Sequence, residues 1–234
     1  MTEIPKIIHQ LWSETNEPLP EIFRLFGESW KENHPDWKYE FWDNDRMNRF
    51  VQDFYPQYWE TYQSFQYDVQ RWDAVRYLIL YRIGGMYVDF DTECLRPHNE
   101  LFADKTCCFS MEPKSHAIRY NKQLLFSNSL MVSTPNHPFM KKIIETVFSY
   151  TPKTAALTAK QRGLEIMTTT GPFILVDIYN SCPDKENVFL IPAQHVSPFD
   201  KNEIALIRHG YVSAGFDNRL KDAYSVHYFW GGWV

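Results

Sequence analysis

Glycine is scarce in this 234-residue chain, with 9 residues beside 14 prolines, which excludes collagen-like and linker-like character. Cysteine is scarcer still. Cys94, Cys107, Cys108 and Cys182 show no Cys-x-x-Cys spacing, and an adjacent pair is a poor chelate or disulfide. They read as reduced thiols packed as small hydrophobes, as in a cytoplasmic protein. Long apolar runs are missing: the best, residues 77–87, is broken by Arg82, Gly84 and Gly85, short of the ~18 residues of a membrane span. No basic stretch followed by an apolar one opens the chain, so no secretory signal is expected. Positive charge is in deficit, 24 Lys and Arg against 29 Asp and Glu, which argues against a nucleic-acid partner. Internal repeats and linkers are absent, and a single domain over residues 1–234 is expected. What is abundant is aromatic side chains: 17 Phe, 14 Tyr and 8 Trp, or 17%. That composition excludes disorder.

The pattern alternates strands with helices. Residues 6–12 form a β-branched run after Pro5, and residues 38–42 alternate like a strand. Residues 21–33 are amphipathic and stop before His34-Pro35, where the pre-proline position disfavours helix; residues 44–54 are helical again. Residues 68–83 make the clearest helix, capped by Asp68 and ended by Gly84-Gly85. Strands are expected over 86–91, 129–133 and 188–191, and a helix over 137–150. Such alternation predicts an α/β fold with a mostly parallel sheet and helices on both faces. Ligands of open sheets sit beyond the carboxyl ends of the strands.

Read as a strand, residues 86–91 put Tyr87, Asp89 and Asp91 on one face, neighbours roughly 6.6 Å apart. Adjacent carboxylates repel unless a cation lies near, and hard oxygen ligands suit Mg²⁺ or Mn²⁺. The bare Asp-x-Asp is a weak signal, since 14 aspartates give roughly one such pair by chance. Asp43-Asn44-Asp45 is a second one and reads as a turn and cap. Setting strengthens the first. Asp73 and Arg76 share a face of the preceding helix at i,i+3, and Arg76 falls in its apolar sector, where a guanidinium must be paired or aimed at an anion. A buried ion pair without further role is the plain alternative. Gly84-Gly85 lets the chain reverse tightly into the strand.

Asp73-Ala-Val-Arg-Tyr77, Leu80, Gly84-Gly85, Tyr87, Asp89 and Asp91 together resemble the core motif of the family 32 glycosyltransferases, relatives of the glucosylating domains of large clostridial toxins. Residues 4–12, 34–43, 170–172 and 227–233 resemble that family's flanking blocks. The resemblance implies a Rossmann-like fold of the GT-A type, a nucleotide-diphosphate sugar donor (UDP- or GDP-linked), a divalent metal and retention at the anomeric carbon. It implies that Asp91 ligates the metal, that Asp89 contacts the donor ribose and metal-bound water, that Asp73 and Arg76 hold the donor sugar, and that Trp12 stacks on the base. One departure concerns the C-terminus: the family commonly has two adjacent His, whereas this chain has His227-Tyr228, so the metal ligand is His227 or water completes the shell.

Trp230 and Trp233 flank Gly231-Gly232, a segment costly to order without a ligand, so residues 224–234 are expected to close over the diphosphate as a lid. Tyr87 joins Trp12, Trp230 and Trp233 as an aromatic expected around the nucleotide. His9 reads as a strand histidine packed on the sheet; Asn128 is a hydroxyl binder or a plain strand start; Glu112 and Lys114 are acceptor-side or solvated. The expected function is transfer of a sugar to a glycan or glycolipid acceptor in surface polysaccharide assembly, by a protein touching the inner membrane face at most peripherally. A sugar-nucleotide hydrolase and a non-catalytic glycan-binding module are the alternatives.

Overall fold

The computed structural model describes residues 3–13, 18–151, 157–212 and 215–231. The run after Pro5 forms β1 (Ile7–Leu11), followed by β2 (Lys38–Trp42), β3 (Gly85–Val88), β4 (Thr92–Cys94), β5 (Cys107–Met111), β6 (Phe126–Ser133), β7 (Phe189–Ile191) and β8 (Ser225–His227). Six of these make a central sheet in the order β2-β1-β3-β6-β5-β7, in which only β6 runs against its neighbours. β4 and β8 form a separate antiparallel ribbon. Helices α1 (Glu21–Asn33), α2 (Asn44–Phe54), α3 (Trp59–Ser64), α4 (Asp68–Arg82), α5 (Lys114–Arg119), α6 (Pro138–Val147), α7 (Ala159–Thr169), α8 (Pro172–Ser181), α9 (Ala193–Val196), α10 (Lys201–Arg208) and α11 (Phe216–Lys221) complete the described residues.

The strand residues divide by their period of two. Leu11, Tyr87, Phe109 and Met131 pack with Val75, Ile79 and Ile143 of α4 and α6. Ile8, Met86, Val88 and Val132 face the other way and pack with Trp30 of α1. Two apolar faces, each covered by helices, are what a mostly parallel sheet requires. Burying one such side chain contributes ~1.5–3 kcal/mol.

The expected bounds of α1, β2 and α2 are those observed. Two neighbouring details differ. Asp68 does not cap α4: Tyr67 is the N-cap and shares a capping box with Gln70, while Asp68 pairs with Arg71 in the first turn. The strand expected over 86–91 ends at Val88, because the chain turns at Phe90 to enter β4, so Asp89 and Asp91 sit on a turn and not on one strand face. Phe90 packs there with Phe23 and Phe26 of α1. The glycine reversal is as expected, with Gly85 at φ +100°, where a Cβ would lie 2.5 Å from the Ile7 carbonyl oxygen.

His9 is buried. Its Nε2 lies 2.9 Å from the Gly84 carbonyl and its Nδ1 accepts from Trp42 Nε1 at 3.1 Å. Burial brings its pKa down to about 4, so the ring is neutral. A second histidine group fastens β4 to α1. Trp30 Nε1 donates to the Thr92 carbonyl at 2.8 Å, and the His98 amide donates to His34 Nε2 at 3.0 Å beside the Cys94 thiol. His34 Nδ1 and His98 Nδ1 face backbone carbonyls and His98 Nε2 faces Ser225, so this trio is satisfied as packing.

Candidate active site

Helix α4, strand β3 and the turn after it deliver one buried charge group. Asp73 and Arg76 are each 5% exposed. Arg76 reaches Asp73 at 3.4 Å and Asp89 at 3.0 Å, donates to the Asn128 carbonyl at 3.1 Å, and lies over the Tyr87 ring. One guanidinium therefore ties together two carboxylates, a backbone oxygen and an aromatic face, a geometry its planar fork allows and a lysine would not. Burial works against its charge, but Asp89, Tyr87 and Asp73 outweigh that and hold it protonated.

Asp73 accepts from Asn128 Nδ2 at 2.8 Å and from the Thr170 hydroxyl at 2.9 Å. Burial pushes its pKa up to about 6, against the pull of Arg76 and Thr170. The ionised form is thus held by named donors, and removing one should show. Thr170→Val is expected to raise the Asp73 titration above about 6, followed by NMR of ¹³C-labelled aspartate carboxyls; an unchanged or lower midpoint would contradict the assignment. The linkage sign follows. A carboxyl with a raised native pKa favours the fold below its unfolded value near 3.9, and that contribution is lost as pH rises through about 6.

Asp89 accepts from Arg76 and from the Tyr87 hydroxyl at 2.5 Å, both on one oxygen. Asp91 is held from three sides by the returning C-terminal segment. Its Oδ1 lies 3.3 Å from His227 Nε2, its Oδ2 accepts from the Trp230 amide at 2.9 Å, and its carbonyl accepts from the Tyr228 amide at 2.8 Å. Burial alone would raise the pKa of Asp91, but His227 and the Trp230 amide hold it below the usual carboxylate range. Asp89 is raised instead, by burial first and despite Arg76. Two aspartates two residues apart thus have opposite tendencies, which environment alone sets.

Asp89, Asp91 and His227 offer ligating atoms within 4.8 Å of one another. Two carboxylates and one imidazole fit Mn²⁺ or Mg²⁺, with phosphate and water to complete the shell. The His227 Nδ1 is buried with no hydrogen-bond partner among the described residues, so the ring is held by Asp91 and packing. Tyr228 does not compete for this position. Its ring stacks on Phe26 and its hydroxyl donates to Glu93 at 2.6 Å, away from the aspartates.

The aromatics expected around a nucleotide are placed unequally. Trp12 follows β1 and meets Phe23 and Phe90 edge-on at ring distances of 5.6 and 6.5 Å. Trp230 crosses the Asp91 rim, 38% exposed, with Phe23 beneath it and the Arg208 guanidinium 3.6 Å over its ring. Tyr87 is 1% exposed, so it supports Asp89 and Arg76 from below and presents no stacking face. Trp233 lies outside the described residues.

Several partners had little sequence signal. Asn128, open between turn and ligand roles, holds Asp73 and also donates to the Tyr77 hydroxyl at 2.9 Å. Tyr77 in turn donates to the Thr170 carbonyl at 2.6 Å. Glu112 is not solvated, its side chain being 10% exposed against His116 at 2.6 Å. His116 packs on Phe229, and Phe229 on His227; Lys114 is exposed.

Comparison with known proteins places this geometry. The family described as "Glycosyltransferase sugar-binding region containing DXD motif" matches residues 20–108. The chain is 32% identical over 189 residues to inositol phosphoceramide mannosyltransferase 3 of Schizosaccharomyces pombe, covering 78% of this chain and 48% of that protein. It is 33% identical over 147 residues to the mannosyl phosphorylinositol ceramide synthase SUR1 of Saccharomyces cerevisiae, covering 63% and 35%. The chain spans about half or less of the length of these curated relatives. Among solved structures it superposes on the PaToxG glycosyltransferase with a TM-score of 0.55 at 17% identity, covering 94% of this chain and 84% of that one. The UDP-bound glycosyltransferase domain of the YGT toxin gives 0.51 at 10% identity, covering 94% and 89%. The fold is therefore that of the GT-A glycosyltransferases. Within that class, the chain belongs to the Asp-x-Asp glycosyltransferases of family 32.

Proposed function

We propose that the protein transfers a hexosyl group, mannosyl by analogy with its relatives, from a nucleotide-diphosphate sugar to a hydroxyl of a glycolipid acceptor of the inositol-phosphate sphingolipid kind. The bond from the anomeric carbon to the diphosphate oxygen breaks. A bond to the acceptor oxygen forms on the same face of the sugar, and the hydroxyl proton leaves with the diphosphate. The single observation that carries this reading is the convergence of Asp89, Asp91 and His227 beside the Asp73–Arg76 pair, where β3 delivers its carboxyl end. Asp91, His227 and the free oxygen of Asp89 would hold Mn²⁺ or Mg²⁺, which when bound supplies charge stabilisation for the leaving diphosphate.

The chain's own groups do the rest. The Arg76 fork and the carboxylate of Asp73 offer hydrogen bonds to sugar hydroxyls at fixed positions, because Asn128, Thr170 and Tyr87 lock both side chains. Trp12, just after β1, would stack on the base, as the family resemblance implies. The Trp230 segment, tied to Asp91, covers the diphosphate side and limits attack by water. The names of the relatives support the glycolipid side of the expected glycan or glycolipid acceptor.

The test is a panel of UDP- and GDP-sugars with Mn²⁺ or with chelator, offered either inositol phosphoceramide in mixed micelles or soluble glycans. Metal-dependent transfer from GDP-mannose to the lipid is expected. Turnover with no donor sinks the enzymatic reading, and turnover unaffected by chelator sinks the metal.

A further inference from the structure

We infer that Lys201 and Arg208, from the first and last turns of α10, hold the diphosphate of the sugar donor at the Asp91 rim. This rests on the nucleotide-diphosphate reading above, but its observations are separate. Positions 201, 204 and 208 share one face of α10 at i, i+3 and i+7. Ile204 is 1% exposed, in a cluster with Val226 and Phe229, so this face is turned to the C-terminal segment. The two cations flank Ile204 and reach adjacent residues of that segment. The Arg208 guanidinium lies 3.6 Å over the Trp230 ring, and Lys201 Nζ comes within 3.5 Å of the position a Cβ on Gly231 would take. Trp230 is in turn bound through its amide to Asp91 Oδ2 at 2.9 Å. Both charges thus lie along the segment that closes on the carboxylate proposed to hold the metal.

The surroundings leave these cations to a ligand. Among the described residues neither charged end has an ion pair or donates a hydrogen bond. The carboxylates at the start of α10 are engaged elsewhere. Glu203 pairs with Arg219 at 2.5 Å, while Asp200 accepts from the Asn202 and Glu203 amides and from the Ser115 hydroxyl. Lys201 is fixed at its backbone, its amide donating to His116 Nε2 at 3.0 Å. Two like charges converging on residues 230 and 231 repel each other, and an anion bound between them relieves that cost. A diphosphate suits the pair. Stacked on Trp230, the Arg208 fork presents its N–H groups edge-on to two phosphate oxygens, and Lys201 adds a compact point charge. As the anomeric bond breaks, charge gathers on the diphosphate, and the two cations meet it from the side of α10.

The experiment is calorimetric titration of the protein with inorganic pyrophosphate, GDP and UDP in the presence of Mn²⁺. Wild-type protein is expected to bind pyrophosphate and at least one of the nucleotides, less at high salt. The double variant Lys201→Ala with Arg208→Ala is expected to bind them about tenfold or more weakly, at unchanged melting temperature and unchanged affinity for Mn²⁺ alone. The loss should be smaller for GMP or UMP, which lack the outer phosphate. Arg208→Lys should recover only part of what Arg208→Ala loses, since it keeps the charge without the fork. Lys160→Ala, at an exposed cation on α7, should bind as wild type. Equal binding of pyrophosphate and nucleotide by the double variant overturns the proposal. So does a parallel loss of Mn²⁺ affinity, which would make the effect a displacement of the C-terminal segment. Wild-type protein that binds neither pyrophosphate nor nucleotide would overturn it together with the donor reading. Weakened binding by the double variant as expected, with no sugar transferred to any lipid by the wild type, would keep the two cations and sink only the acceptor reading.

Discussion

Arg76→Leu is expected to destabilise the protein by about 3–5 kcal/mol at pH 8, the cost of leaving buried charge without its partner. The pair it breaks is not an exposed ion pair worth a few tenths. Arg76 and Asp73 are each 5% exposed, and Asp89 shares the same guanidinium. Removing the cation leaves two carboxylates facing each other, together with the Asn128 carbonyl that had accepted from it. The strain has one outlet, protonation. Asp73 already titrates near about 6 with Arg76 lowering it, so without Arg76 it moves higher, and Asp89 is raised as well. The penalty should therefore shrink as pH falls through that range, because a neutral Asp73 needs no cation. Urea unfolding at pH 8 and pH 5 measures both the size and the direction. Arg76→Lys should recover part of the loss at pH 8, since it restores charge without the fork. A loss below about 1 kcal/mol at pH 8, or one that grows at pH 5, would mean that the group is solvated and the ion pair incidental.

What the sequence discloses about this site follows the range of the interactions involved. Local ones are legible. The amphipathic period of α1, the pre-proline stop at His34, and the i,i+3 spacing of Asp73 and Arg76 lie within a few residues, and the structure keeps them. The glycine reversal is legible for the same reason, since Gly85 is required by one carbonyl of the adjacent strand. Errors arise where a local rule has a competitor nearby. Asp68 is a good capping residue, yet Arg71 one turn on claims its carboxylate, and Tyr67 with Gln70 closes the helix instead. The alternation of residues 86–91 continues in the letters but not in the chain, because Phe90 finds a better burial against Phe23 and Phe26. Long-range partners have no periodicity to betray them. Thr170 and Asn128 reach Asp73 from 97 and 55 residues away, and nothing near either one announces a carboxylate. Tyr228 shows the limit of resemblance. It stands where a second histidine is common, and only its stacking on Phe26 reveals that it faces elsewhere.

Asp91→Asn is expected to lower transfer by about 10²-fold or more, comparable to removing an oxyanion-stabilising donor, with the fold intact. Asparagine is the informative change because Asp91 has two jobs. Its Oδ2 accepts from the Trp230 amide, and an amide oxygen can still do so; its charge faces His227 and the proposed metal, and asparagine lacks that. If the loss comes from a detached C-terminal segment, Asp91→Asn should be mild and Asp91→Ala severe. If it comes from the metal, both should be severe, and Mn²⁺ binding followed by electron paramagnetic resonance should weaken in both. The antiparallel register of β4 with β8 sets Thr92 opposite His227, which is why a residue 136 positions downstream stands beside Asp91. His227→Ala should then weaken Mn²⁺ affinity by about 10–100-fold, while Tyr228→Phe, whose hydroxyl is occupied by Glu93, should leave it unchanged. Unchanged Mn²⁺ affinity in both Asp91→Asn and His227→Ala would remove the metal from this rim and leave the C-terminal segment as a cover for a site that works by Arg76 alone.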